Sequence, residues 1–212
     1  MLEVLISLFA AGLAVAFVES LFRSKRIGGE TARKIVHIVH GLYVVTWPFF
    51  VGWQSIIYLE LAFLLLVVFE RQFKIFGSQR AISRLSWGEV FYPIGIILLV
   101  ITHQSRWVFV LAVLHLALAD AFAALVGVKY GKNNTYKMLG QRKSVYGTLA
   151  FFVTSVLLVG AAQIMLGGQL SDSARLALLV VPIGTTLAEN IGVFGIDNLL
   201  VPLVFIGLFG AR

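Results

Sequence analysis

Eight stretches of this chain are apolar enough, and long enough, to leave few choices of fold. They cover residues 2–22, 35–53, 55–70, 88–103, 107–128, 147–167, 174–191 and 198–211, separated by short polar connections. About 20 apolar residues in a helix match the hydrocarbon thickness of a bilayer. Inside that layer every backbone N–H and C=O needs a partner within the protein, so only helices or a closed barrel can cross it. A barrel requires strands of about ten residues that alternate apolar and polar, and no segment here alternates in that way. The sequence predicts an all-α, polytopic transmembrane helical bundle of about seven to eight spans, with the third, fourth and last runs the short ones. Composition removes the soluble alternative: 59% of residues are apolar and 13% charged, against roughly a quarter charged in a soluble protein. Residues 1–212 are read as a single integral membrane domain. The chain has no cysteine, which excludes a disulfide framework, a thiolate zinc site, an iron-sulfur cluster and a cysteine nucleophile. Glu3 precedes the first run and Arg23, Lys25 and Arg26 follow it. This is the reverse of a cleaved signal, so the run is expected to be a span.

The basic residues orient the bundle. Arg23, Lys25, Arg26, Arg33 and Lys34 follow the first run, Arg71, Lys74, Arg80 and Arg84 the third, and Lys129, Lys132, Lys137, Arg142 and Lys143 the fifth. Fourteen of seventeen Lys and Arg therefore fall in three alternate connections, against Arg106, Arg175 and Arg212 elsewhere. Positive charge stays on the cytoplasmic side, so those three loops are expected there and both termini on the opposite side. The same bias accounts for the net charge of +7 through topology and anionic headgroups, with no nucleic acid implied.

Ionisable groups at membrane depth are expensive and are candidates for function. Asp120 lies inside the fifth run, and helical spacing puts Ala119, Ala123 and Gly127 on a small-residue stripe beside it, where another helix or a ligand can come close. Glu89 opens the fourth run and Glu189 closes the seventh, both toward the basic loops. Asp197 and Asn198 begin the eighth; for Asp197 alone a helix N-cap is the simpler reading. Glu19 and Glu60 have no basic or glycine-rich neighbours and are read as interhelical hydrogen-bond partners. Arg33, His37 and His40 share one helical face at the start of the second run. Two histidines without a third ligand or a cysteine do not make a zinc site, and the cluster suits a phosphate contact or an interfacial anchor.

The connection after the fifth run reads Gly127-Val128-Lys129-Tyr130-Gly131-Lys132 and then Leu139-Gly140-Gln141-Arg142-Lys143-Ser144-Val145-Tyr146-Gly147-Thr148. Glycines admit close backbone approach and the cations neutralise phosphate oxygens. Lys143-Ser144 lacks the glycines of a P-loop. Carboxylates and basic clusters converging on one membrane face nevertheless suit a magnesium nucleotide site.

At these residues the chain resembles the polyprenol kinase family, which includes dolichol kinase, phytol kinase and a CTP-dependent diacylglycerol kinase. Five short motifs in order, between Arg33 and Pro202, carry the resemblance: Arg33-Lys34 with His37 and Gly41; Gly88-Glu89 with Tyr92-Pro93; Ala119-Asp120-Ala121 with Gly127 and Tyr130-Gly131-Lys132; Lys143-Ser144 with Gly147; and Glu189 with Gly195, Asp197-Asn198-Leu199 and Pro202. Tyr146 stands where the family carries an acidic residue, which shifts weight to Asp120, Glu89 and Glu189. The resemblance implies an all-helical membrane enzyme that moves the γ-phosphate of CTP to the hydroxyl of a lipid alcohol, such as phytol, geranylgeraniol, a polyprenol or diacylglycerol, with a divalent metal.

On that reading Asp120, Lys143, Glu89 and Glu189 are the catalytic candidates, with Asp120 taking the alcohol proton. Mg²⁺ would be held by Asp120, Glu189 and Asp197, with Glu89 a further candidate, and the nucleotide by Arg33, Lys34, His37, Lys129, Lys132, Arg142, Ser144 and Asn198. The stretch from Asp120 to Gly147 is also similar to phosphatidate cytidylyltransferases, whose longer closing signature is absent. A transporter using Asp120 as a proton relay is the alternative from another class, but the paired halves usual in transporters are not seen.

Overall fold

The computed structural model describes residues 2–73, 75, 86–166 and 172–209. Lys74, Arg80, Arg84 and Arg212 lie outside the described residues. Eight helices are seen among those that are described. They are α1 (Leu2–Arg23), α2 (Gly29–Thr46), α3 (Trp53–Phe73), α4 (Gly88–Thr102), α5 (Arg106–Tyr130), α6 (Val145–Met165), α7 (Asp172–Ile191) and α8 (Asp197–Phe209). Each matches one predicted run. Their ends differ where hydropathy is a poor guide. α2 takes in its charged first turns, and ends earlier because a 3₁₀ turn, Trp47–Phe49, carries Pro48. α3 reaches 21 residues, so its predicted shortness does not hold.

Four helices, α1, α3, α5 and α6, are long and apolar enough to cross a bilayer, and α4 and α8 are shorter apolar helices. Of the four, α5 is the central one: 61% of its most apolar stretch is buried, against 17–22% for the others. The others turn large apolar side chains outward, including Leu5, Phe9 and Phe17 on α1, Leu65 and Phe69 on α3, and Leu157 and Ile164 on α6. Exposed in water these would be a liability, but against lipid tails they are the expected surface of a membrane protein. Inside, one continuous core gathers Ile56 and Leu59 of α3, Ile96 and Leu99 of α4, Phe109 and Leu116 of α5, Phe151 of α6 and Phe205 of α8.

Two local features position the site. The first is a π turn, His115–Ala119, in the middle of α5. A π turn inserts one residue into the α repeat and so re-aims the next side chains along the helix, here Asp120. It is held by a buried polar chain: His115 lies 2.7 Å from the Leu111 carbonyl and 2.7 Å from Ser155 Oγ, which is 3.2 Å from Thr185 Oγ1. That chain ties α5 to α6 and α7.

The second is a β-hairpin in the connection that the sequence reading leaves as a loop. β1 (Thr135–Met138) pairs antiparallel with β2 (Gln141–Ser144), with Tyr136 opposite Lys143. Leu139 and Gly140 make the turn, both at positive φ, 46° and 84°, which is the type I′ geometry that matches strand twist.

Glycines set the approach of α5 and α6. A β-carbon on Gly147 would stand 2.9 Å from the Ala123 carbonyl oxygen and 3.4 Å from the Gly127 α-carbon. The predicted stripe of Ala123 and Gly127 is thus a helix contact. Gly147→Val is expected to push α6 off α5 and destabilise by about 1–3 kcal/mol, the usual cost of overpacking. Gly160→Ala on the same helix, where a β-carbon meets only the tip of Leu178 at 3.9 Å, should leave the unfolding temperature in detergent unchanged. Equal melting of the two variants would show that the close approach at Gly147 does not matter to stability.

Candidate active site

Five of the eight helices line a cleft of about 360 Å³ at one end of the bundle. The N-terminal turns of α2 supply Arg33, Lys34 and His37, and the C-terminal half of α5 supplies Asp120, Ala123 and Gly127. The hairpin and the start of α6 add Gln141, Arg142, Lys143, Ser144, Gly147 and Thr148. The end of α7, the start of α8 and the loop between them add Glu189, Gly192, Phe194, Gly195, Asp197 and Asn198; Ser86, just before α4, completes the wall, with Gly88 behind it. Motifs scattered from Arg33 to Asn198 thus share one surface.

Two ion pairs dominate it. Lys34 Nζ donates to Asp120 Oδ2 at 2.7 Å, and Lys143 Nζ donates to Glu189 Oε1 at 2.6 Å and also to the Glu189 backbone carbonyl. The four side chains are only 11–20% exposed, so the pairs are poorly screened, and removing one partner would leave a costly uncompensated charge. Glu189 Oε2 and Asp197 Oδ1 are buried and have no hydrogen-bond partner among the described residues.

Several assigned side chains also have local structural work. His37 Nε2 donates to the Leu116 carbonyl at 3.0 Å, inside the π turn. Ser144 caps α6, accepting from the Gly147 N–H at 2.9 Å, a standard N-cap bond. The Asn198 side-chain amide donates to the Gly88 carbonyl at 3.1 Å. Asp197 is the first residue of α8 and its Oδ1 makes no cap bond, so the cap does not explain that oxygen.

Other expected members stand apart from the cleft. Glu89 lies in the first turn of α4, beside Gly88, and does not line it. Lys129 and Lys132 are exposed, with Lys129 Nζ 5.0 Å from the centre of the Tyr130 ring. Tyr146 is exposed too and is not among the lining residues. Arg71, from the second basic connection, stacks on Trp87 at 4.1 Å and donates to the Ser86 carbonyl at 2.9 Å, bracing the wall rather than lining it. Glu19 pairs with Arg23 of its own helix at 3.0 Å. The interhelical role expected of Glu60 does not hold: its carboxyl is fully buried and neither oxygen has a hydrogen-bond partner among the described residues.

Sequence reasoning missed the latch that seats the hairpin. Tyr136 Oη donates to Asn190 Oδ1, and Thr148 donates to the same oxygen at 3.1 Å. Because Tyr136 is directly opposite Lys143, the hairpin grips two successive residues of α7: Asn190 through Tyr136 and Glu189 through Lys143. The signal was present as two short strand-like segments around Leu139-Gly140. The cationic segment hid it.

The loop between α7 and α8 is equally constrained. Phe194 and Gly195 both have positive φ, 57° and 90°, and Trp87 donates its N–H to the Phe194 carbonyl at 2.8 Å. A β-carbon on Gly195 would fall 2.3 Å from the Gly88 nitrogen, and one on Gly88 would fall 2.6 Å from Asn198 Nδ2.

The residues present fit a hard divalent cation. Magnesium commonly takes one or two carboxylates and completes its shell with water and phosphate oxygens, and the partnerless oxygens of Glu189 and Asp197 offer such a start. No three His, Asp or Glu side chains among the described residues stand close enough to hold a metal unaided, so phosphate oxygens or water would complete the shell.

No family model matches the chain. A protein of Synechocystis described as phytol kinase is 33% identical over 203 residues, covering 91% of this chain and 83% of that one. No solved structure matches.

Proposed function

The chain belongs to the polyprenol kinase family, and from that premise we propose that it phosphorylates the hydroxyl of a membrane lipid alcohol at the cleft, with CTP as donor. The observation that carries this reading is the pairing of two half-buried lysines with two carboxylates in one cleft. Phosphoryl transfer asks mainly for charge neutralisation and alignment. Lys34, Lys143, Arg33 and Arg142 would hold phosphate oxygens. Two of Asp120, Glu189 and Asp197 would hold Mg²⁺ together with phosphate oxygens and water, which would supply charge neutralisation there. Asp120, which lies within the central helix α5, accepts the alcohol proton. The acceptor's tail stays among the outward apolar side chains of the bundle while its hydroxyl reaches the cleft. An isoprenoid alcohol of the phytol type fits this best, since the relative is described as a phytol kinase.

Purified protein given labelled CTP or ATP, Mg²⁺ and a panel of phytol, geranylgeraniol, a long polyprenol and diacylglycerol tests the reading. Label on an alcohol with release of nucleoside diphosphate is the expected result. Release of pyrophosphate would instead make the chain a cytidylyltransferase, and no transfer to any acceptor would overturn the kinase.

The bias of positive charge supports a cytoplasmic cleft. Lys25 and Asn133 belong to the basic connections, and Gln104 to the connection between α4 and α5. Single cysteines at Lys25 and Asn133 should react with an impermeant thiol reagent only from the cytoplasm, and one at Gln104 only from outside. The reverse pattern would invert the bundle.

A further inference from the structure

The two ion pairs pose a problem for a kinase. Lys34 and Lys143 offer phosphate little net charge while Asp120 and Glu189 neutralise them at 2.7 and 2.6 Å. The same ammonium groups leave Asp120 and Glu189 little net charge to offer a cation. A polyphosphate arriving alone would draw the lysines away and strand two buried carboxylates beside its own negative charge. A divalent cation arriving alone would strand two buried ammonium groups. Either step leaves charge uncompensated in a poorly hydrated site, which is the expensive way to open a buried pair.

On the premise that the cleft takes a nucleotide and a cation, as the proposed kinase must, we propose that the pairs exchange partners: each lysine moves to phosphate oxygens and each carboxylate to the cation. Polyphosphate and divalent cation then enter as one unit, and neither binds well alone. Glu189 and Asp197 are prepared for this, since each already carries one buried oxygen without a partner among the described residues. Lys143 reaches phosphate without dismantling the hairpin, because Tyr136 and Thr148 hold Asn190 independently of it. Linkage makes the coupling reciprocal, so the factor by which cation tightens nucleotide equals that by which nucleotide tightens cation.

Equilibrium binding of labelled CTP to purified protein, in excess Mg²⁺ and in EDTA, measures that factor. For the unaltered protein we expect roughly a thirtyfold or larger gain with Mg²⁺, within the usual span of coupling between sites. Asp120→Asn and Glu189→Gln keep side-chain shape but release a lysine. Each should bind CTP in EDTA roughly tenfold more tightly than the unaltered protein and lose most of the gain from Mg²⁺. A bystander charge near the phosphates would raise affinity equally in both media and leave the ratio intact, which would overturn the exchange. So would variants that bind metal-free CTP no better than the unaltered protein. Lys34→Gln and Lys143→Gln make the reciprocal test should a carboxamide variant fail to fold: freed carboxylates should bind Mn²⁺ without nucleotide more tightly, read by electron paramagnetic resonance, and unchanged Mn²⁺ affinity counts against the proposal. If the unaltered protein binds neither CTP nor ATP even with Mg²⁺, the nucleotide reading itself falls, a result distinct from failure of the exchange alone.

Discussion

Asp120→Asn is expected to abolish lipid phosphorylation while the bundle stays folded. The carboxylate sits just past the π turn of α5, 2.7 Å from Lys34, with cation and acceptor proton as its assigned tasks. General-base contributions alone run to about a hundred- to ten-thousandfold, and loss of a metal ligand adds to that. Turnover with labelled CTP should therefore drop by roughly a thousandfold or more. Asparagine retains an oxygen to accept from Lys34 but leaves its charge uncompensated, so the unfolding temperature in detergent should fall without loss of the fold. Near-normal turnover in a folded variant would reduce Asp120 to a partner that keeps Lys34 in place.

Lys143→Gln should lower turnover by roughly a hundredfold or more, because a charge aimed at a transferring phosphate matters most in the transition state. A purely structural explanation is open to test, since the same change leaves Glu189 buried without its cation. Removing the stranded charge as well, in Lys143→Gln with Glu189→Gln, should restore thermal stability but not turnover. Lys143→Arg should recover part of the rate at most, as a planar fork does not reproduce a compact ammonium. If stability and activity return together in the double variant, Lys143 is a strut and the phosphate contact must lie with Arg33 and Lys34.

The helical bundle was legible because hydropathy integrates over a whole span, and eight runs became eight described helices. Convergence of Arg33, Lys34, Asp120, Arg142, Lys143, Glu189, Asp197 and Asn198 was legible in outline, since the basic loops and the carboxylates fell toward one predicted face. What failed was shorter in range. The hairpin around Leu139-Gly140 was obscured because its strands carry Lys137, Arg142 and Lys143, which weigh as polar loop in any average. The π turn leaves no mark in composition: His115–Ala119 reads as ordinary apolar helix, although it determines where Asp120 points. Glu89 was singled out as a carboxylate at the start of the fourth run, and its side chain is not among those lining the cleft. Pairings such as Tyr136 with Asn190 join residues 54 apart, which no local pattern can anticipate.

The contact of Gly88 with Gly195 also constrains descent. A β-carbon on Gly195 has no room while the Gly88 backbone stays where it is, and one on Gly88 has none while the Asn198 amide does. An alanine at Gly88 strikes the Asn198 amide, and one at Gly195 strikes the Gly88 backbone as well as requiring a left-handed residue, so a change at either glycine calls for a second nearby. The three sites are therefore expected to be inherited as a block. Where a relative has lost one of them, the other two should have changed as well, and the α4–α8 crossing with them.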